Sequence, residues 1–105
     1  MSEDVELGDL RDLDDGQMRC FEHIGEHGIV VCRAGGELFA LDDNCSHAAT
    51  PLSTGRLRGT TLTCPLHGAQ FDVRDGSHLS PPAFCGVATH RLDVGDEAAV
   101  RVTLP

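Results

Sequence analysis

Four side chains near the middle of the chain are of types that bind metal through sulfur and nitrogen. Cys45 and His47 form a Cys-x-His pair, and Cys64 and His67 form a Cys-x-x-His pair. Sixteen residues separate His47 from Cys64. Each pair offers one thiolate and one imidazole. A [2Fe-2S] core wants such an inventory: four ligands, two per iron, held on two converging loops, with two imidazoles replacing two thiolates on one iron. The replacement has an electrostatic consequence. Two thiolates leave the oxidised centre about neutral where four would leave it at about −2, so adding an electron costs less and the potential rises. A structural zinc ion is the competing reading, because two Cys and two His are also a zinc set. Zinc motifs, however, usually pair Cys with Cys at short spacing. Colour discriminates the two: iron with acid-labile sulfide makes reddish-brown protein, zinc a colourless one.

The residues around the pairs suit cluster loops. Gly68 follows His67 directly and lets backbone pass close to a cluster without a Cβ clash. Pro65 stiffens the second loop, and Thr50-Pro51 bends the chain after the first. Leu52 and Leu66 can supply an apolar lid that limits water access. The rigid Ser80-Pro81-Pro82-Ala83 run is expected to form a third, shielding loop.

The elements that must position these loops read as strands. The chain has 105 residues, 40% of them hydrophobic, with twelve Gly and five Pro, which favours an all-β fold with many turns. Short β-branched runs alternate with Gly, Asp and Pro clusters, the pattern of an antiparallel β-sandwich or small barrel. Strands are expected at Val5–Leu7, Met18–Ile24, Gly28–Arg33 and Glu37–Asp42, with a turn at Asp14-Asp15-Gly16 and a tight hairpin at Ala34-Gly35-Gly36. Short strands survive at Leu57-Arg58, Thr60–Thr63 and Ala69–Val73. Ala88–Val94 and Ala98–Thr103 follow, joined through Gly95-Asp96-Glu97. Helix is limited to one turn near Thr50–Thr54. The expected organisation is a single domain over 1–105, a β-scaffold with a loop-rich region inserted at about 44–84.

Charge and cysteine usage bound the partners. Seventeen acidic and eight basic side chains give a formal net charge of −9. That excess disfavours nucleic acid and anionic membranes and favours steered contact with basic faces of partner proteins. The start, Met1-Ser2-Glu3-Asp4, is acidic with no apolar run behind it, and the longest purely apolar stretch is Ile29–Cys32. The expectation is a cytoplasmic chain with no membrane span. Five cysteines argue for metal binding or burial, not a disulfide framework. Cys20 and Cys32 fall in expected strands and read as buried small hydrophobes, while Cys85 has no assignable role. His23, His27, His78 and His90 lack a Cys at motif spacing and read as surface or satisfied polar residues. Phe39, Phe71 and Phe84 read as core. Asp12–Asp15 and Asp42-Asp43 read as solvated turns.

The run Cys45-Ser46-His47, Leu52, Gly55, Cys64-Pro65-Leu66-His67-Gly68 and Phe71-Asp72 resembles the Rieske pattern. The likeness extends over most of the chain, from the Gly36–Asp42 segment to Pro81-Pro82. It implies a Rieske-type β-sandwich with a cluster-binding subdomain and one [2Fe-2S] cluster. Cys45 and Cys64 would hold the inner iron, and His47 and His67 the outer, near the surface. Departures narrow the subclass. Rieske proteins of cytochrome complexes carry an extra Cys in each cluster loop, joined as a disulfide, where this chain has Thr50 and Leu66. They also carry a Ser and a Tyr whose hydroxyls donate to cluster or cysteine sulfur, where this chain has Ala69 and Phe71. The resemblance therefore implies a potential near the low end of the Rieske range, roughly −150 mV. It is nearest to stand-alone Rieske ferredoxins. It implies a monomeric one-electron carrier, not an enzyme, between an NAD(P)H-dependent flavin reductase and a terminal aromatic ring-hydroxylating oxygenase. No residues remain for a 2-His-1-carboxylate iron domain. The alternatives are a small Rieske subunit of a larger oxidoreductase such as nitrite reductase, and a redox-sensing or cluster-storage module.

Overall fold

The computed structural model describes residues 3–25, 28–44, 51–65, 68–80, 86–94 and 99–104. Ten strands lie among them: β1 Glu3–Asp9, β2 Met18–Phe21, β3 Ile29–Ala34, β4 Glu37–Asp42, β5 Arg56–Arg58, β6 Thr61–Thr63, β7 Gln70–Asp72, β8 His78–Ser80, β9 Thr89–Val94 and β10 Ala99–Leu104. One 3-10 turn, Leu52–Thr54, completes the set. β1, β10, β9, β4, β3 and β2 form, in that order, a six-stranded antiparallel sheet; β5 to β8 form a four-stranded meander.

Side-chain alternation explains why two sheets suffice. Ile29 and Val31 of β3 point, with Ala40 of β4, into one core with Leu10, Leu13, Ile24, Val100 and Val102. Val30, Cys32 and Ala34 point the other way, with Leu41, into a second core with Leu52, Leu62, Cys64, Ala69, Phe71 and Val73. β3 is thus covered on both faces, which accounts for its continuous apolar run where a half-exposed strand would alternate. The second core joins the two sheets.

Local signals place the turns. Gly35 and Gly36 have φ of 61° and 83°, the left-handed pair that a two-residue β3–β4 hairpin requires. Arg33 fixes this corner, donating to the carbonyls of Leu13, Leu10 and Gly36. In the β1–β10 ladder Glu6 faces Arg101 and Gly8 faces Val100, which leaves Leu7 as a bulged residue.

The expected strands match these with corrections. β2 stops at Phe21 and does not reach Ile24, because the chain turns there and the Ile24 N–H donates to the Phe21 carbonyl at 3.2 Å. β1 runs longer than Val5–Leu7 because it pairs with β10 along its length. The 3-10 turn falls within the expected helical stretch. The sequence reading missed β8, whose Leu79 is half exposed and leaves no buried alternation to detect. The connection 95–97, the loop 81–83, and Leu66, Thr50, His27, Phe84 and Cys85 lie outside the described residues.

Candidate metal centre

Of the four expected ligands, Cys64 lies among the described residues; Cys45, His47 and His67 do not. The structure does describe the feet of both ligand loops, and each foot is tied by hydrogen bonds.

The second loop leaves β6 at Cys64 and re-enters β7 after Ala69. The Cys64 N–H donates to the Ala69 carbonyl at 2.7 Å, which continues the β6–β7 ladder by one pair and closes the 64–69 loop. Cys64 is 1% exposed and belongs to the second core. Gly68 has a φ of 73°, with open space where a Cβ would stand. The left-handed turn back into β7 therefore explains this glycine within the chain, where close approach was the expectation.

The first loop hangs between Asp43 and Ser53. Asp43 is 5% exposed, so the reading of Asp42-Asp43 as a solvated turn is wrong. Its carboxylate accepts the Ser53 N–H at 2.7 Å and the Ser53 hydroxyl at 2.6 Å, and so staples the exit of the loop to its entry. The Cys20 thiol donates to the same carboxylate at 3.0 Å. Cys20 is exposed, not buried, because β2 is the edge strand of its sheet. Partial desolvation of its sulfur, together with the hydrogen bond to Asp43, raises the thiol pKa above its ordinary value. Cys32 is fully buried as expected, and desolvation pushes its thiol up to about 12. Beside the foot, His90 Nε2 lies 2.6 Å from Asp42 Oδ1, and the His90 side chain is buried, a satisfied polar residue as expected. Nothing in the sequence announces the Asp43–Ser53 staple, since both residues are ordinary loop types ten positions apart.

Two close approaches bring the loops together. A Cβ on Gly55 would stand 2.0 Å from the Thr63 carbonyl oxygen, so the chain leaving the first loop lies directly on the strand that leads into Cys64. Gly55, Cys64, Pro65 and Gly68 line one open cleft. Further out, the Val87 N–H donates to the Gly76 carbonyl at 2.8 Å, and a Cβ on Gly76 would stand 2.1 Å from the Val87 oxygen. That crossing ties off the segment containing the proline run. Leu52, expected as part of a lid, is fully buried in the second core beneath. A buried thiol at the neck of a tied loop, abutting the foot of a second loop that carries Cys45 and His47, fits an iron-sulfur centre with soft donors on its protein side.

Phe71 is fully buried as expected, and Phe39 packs partly buried against the same core. Asp72, next in the motif, is held by Arg74, whose Nε and Nη2 donate to the carboxylate at 3.0 and 2.7 Å. These hydrogen bonds lower the Asp72 pKa. A lowered folded-state value contributes stability above the unfolded carboxylate pKa of about 3.9, and that contribution is lost as pH falls through the folded value. Asp72→Asn should therefore unfold at lower urea than wild type at pH 7, and the gap should close below about pH 4. Urea midpoints by circular dichroism between pH 3 and 7 check this.

Comparison with known proteins gives one consistent result. A profile of the Rieske [2Fe-2S] domain matches residues 3–91. The ferredoxin component of biphenyl 2,3-dioxygenase from Rhodococcus jostii (strain RHA1) is 42% identical over 90 residues, covering 85% of this chain and 83% of its own. The Sphingomonas yanoikuyae B1 ferredoxin superposes with a TM-score of 0.89 at 25% identity, over 98% of this chain and 100% of its own. A chain from the complex of reduced oxygenase and oxidised ferredoxin in carbazole 1,9a-dioxygenase superposes with a TM-score of 0.88 at 29% identity, covering 94% and 91%.

Proposed function

The chain belongs to the Rieske [2Fe-2S] family, and from that premise we propose that it is the ferredoxin of an aromatic ring-hydroxylating dioxygenase system, taking electrons from an NAD(P)H-dependent flavin reductase and passing them to a terminal oxygenase. Its cofactor is one Rieske-type [2Fe-2S] cluster, which supplies reversible one-electron transfer. The ligands in this reading are Cys45 and Cys64 on one iron and His47 and His67 on the other. The structural observation that carries it is the junction of the two loop feet at Gly55 and Thr63, directly before the buried Cys64. The chain transfers electrons and leaves oxygen chemistry to its partner.

The protein's own residues do three things. The Asp43–Ser53 staple joins the two ends of the first loop, and the Cys64–Ala69 hydrogen bond joins the two ends of the second. The second core keeps water from the inner side of Cys64. Ala69 and Phe71, both fully buried in that core, bring no hydroxyl to stabilise added negative charge. Ala69→Ser and Phe71→Tyr should each raise the reduction potential, and the doubly substituted protein more than either; redox titration that finds all three unchanged removes the hydrogen-bond account.

The small-subunit alternative calls for a large apolar docking patch. Among the described residues the large exposed hydrophobics are Leu79 on β8 and Val94 on β9, in different sheets. That supports a monomeric carrier with transient contacts. No helix among the described residues is long and apolar enough to cross a membrane; a cytoplasmic place remains part of the proposal, as does the reading of 1–105 as one domain. The deciding experiment combines this chain with reductase and oxygenase components and measures NAD(P)H-dependent hydroxylated product. Product should require the chain, and Cys64→Ser protein should contain no stoichiometric iron or sulfide and support no turnover. Full turnover with the serine variant ends the ligand assignment.

A further inference from the structure

The net charge of −9 is not spread evenly. Residues 44–88 hold three arginines and two aspartates, while the rest of the chain holds five arginines and fifteen acidic residues. The acid therefore belongs to the six-stranded sheet and its turns, and the part that carries the ligand loops is weakly basic.

Within that part, Arg56 and Arg58 stand apart from the other arginines. Arg11, Arg19, Arg74 and Arg91 each pair with an aspartate. Arg33 is spent on backbone carbonyls, and Arg101 faces Glu6 across the β1–β10 ladder. Arg56 and Arg58 are exposed and have no acidic partner among the described residues. They sit two apart on β5, hence on one face, and β5 is an open edge of its sheet. Across the ladder Arg56 meets Thr63 and Arg58 meets Thr61, and Thr63 meets Gln70. Both arginines line the cleft that also contains Cys64 and Gly68. The acid nearest in register on this face, Asp72, is neutralised by Arg74. Asp75 is turned into hydrogen bonds with Ser77.

We propose that this face, built on Arg56 and Arg58, is the docking surface for a carboxylate-rich patch on a protein redox partner. The sign is opposite to the steering expected from the net charge. Screening at physiological salt acts over about 8 Å, so a partner at the cleft meets the two guanidinium groups first; Asp43, the acid at the foot of the first loop, is 5% exposed and turned into hydrogen bonds with Ser53. Guanidinium groups suit the task because their fork matches a carboxylate and holds it in a defined orientation. The segregated charge also turns the molecule so that the ligand loops lead toward a negative partner. The proposal rests on the carrier reading above for the identity of the partner, but not for the sign of the surface.

Two measurements on the holoprotein test it, with Arg56→Glu/Arg58→Glu compared against Arg11→Glu/Arg91→Glu, which changes net charge equally in the turn after β1 and on β9. The first is the rate at which dithionite-reduced protein is oxidised by the anion ferricyanide, as a function of salt. Wild type and the control should slow as salt rises, and the Arg56/Arg58 variant should be at least ~10-fold slower at low salt and speed up with salt. The second is the anisotropy of a fluorescein-labelled hexaglutamate peptide, which should report binding to wild type and control and loss of binding in the Arg56/Arg58 variant. Wild-type oxidation that accelerates with salt, or equal effects of the two variants, overturns the proposal, as does equal peptide binding by all three. Protein that takes up no electron at all sinks the carrier reading instead, and the peptide measurement still decides the surface.

Discussion

Gly55→Ala protein is expected to fold poorly and to lose most of its iron and acid-labile sulfide. The added methyl would stand 2.0 Å from the Thr63 carbonyl oxygen and 3.1 Å from the Leu52 oxygen, both backbone atoms. The backbone at Gly55 has a φ of −87°, which any residue adopts, so the obstacle is space and not dihedral strain. Overpacking against side chains costs about 1–3 kcal/mol and is relieved by rotamer changes. A carbonyl in a ladder has no rotamer to change, and relief must come from separating the first-loop exit from β6. That movement displaces Cys64 relative to Asp43 and Ser53. Gly59 provides the control. It turns β5 into β6 with a φ of 59° and nothing within 4 Å of a Cβ, so Gly59→Ala should cost only the left-handed strain of about 1–2 kcal/mol and keep its cluster. Iron and sulfide per chain, with the visible spectrum, separate the two variants.

Phe71→Ala should lower stability by about 3–5 kcal/mol, the range for emptying a fully buried aromatic site. For a domain whose whole stability is about 5–15 kcal/mol this is a large fraction. It corresponds to a fall in Tm on the order of 15 °C at this chain length. Phe71 lies opposite Leu62 in the β6–β7 ladder and fills the core that Cys64 also enters, so the cavity opens beneath the second ligand loop. Visible bleaching should therefore precede or accompany loss of circular dichroism on heating. Leu79→Ala, at a half-exposed edge position, should change stability by no more than about 0.5 kcal/mol. Similar losses in the two variants would remove Phe71 from its place as the keystone of this core.

Much of the scaffold was legible because its signals are local. Gly35-Gly36 specifies a hairpin through dihedral angles that few other residue pairs tolerate, and Gly28–Arg33 reads as a strand, although its burial on both faces is visible only in the structure. The spacing of Cys64 and Gly68 likewise announced a loop. What escaped the sequence is what depends on residues brought together from afar. Asp43 looks like an ordinary acidic turn residue until Ser53 and Cys20 fold onto it. Gly55 looks like a turn glycine until β6 lies across it. Cys20 resembles Cys32 in local sequence, yet one lies on an edge strand and the other in the interior. The charge asymmetry was present in the sequence, but it gained meaning only when register put Arg56 and Arg58 on the same face as the cleft.

The shared position of β3 has a dynamic consequence. Its even-numbered residues support the four-stranded sheet and its odd-numbered residues support the six-stranded one, so neither layer can open without stripping a face of the same strand. Amide protons of Val30 and Val31 should then exchange with deuterium at one common, slowest rate, set by complete unfolding. The redox module would have no independent breathing mode through which its cofactor could escape.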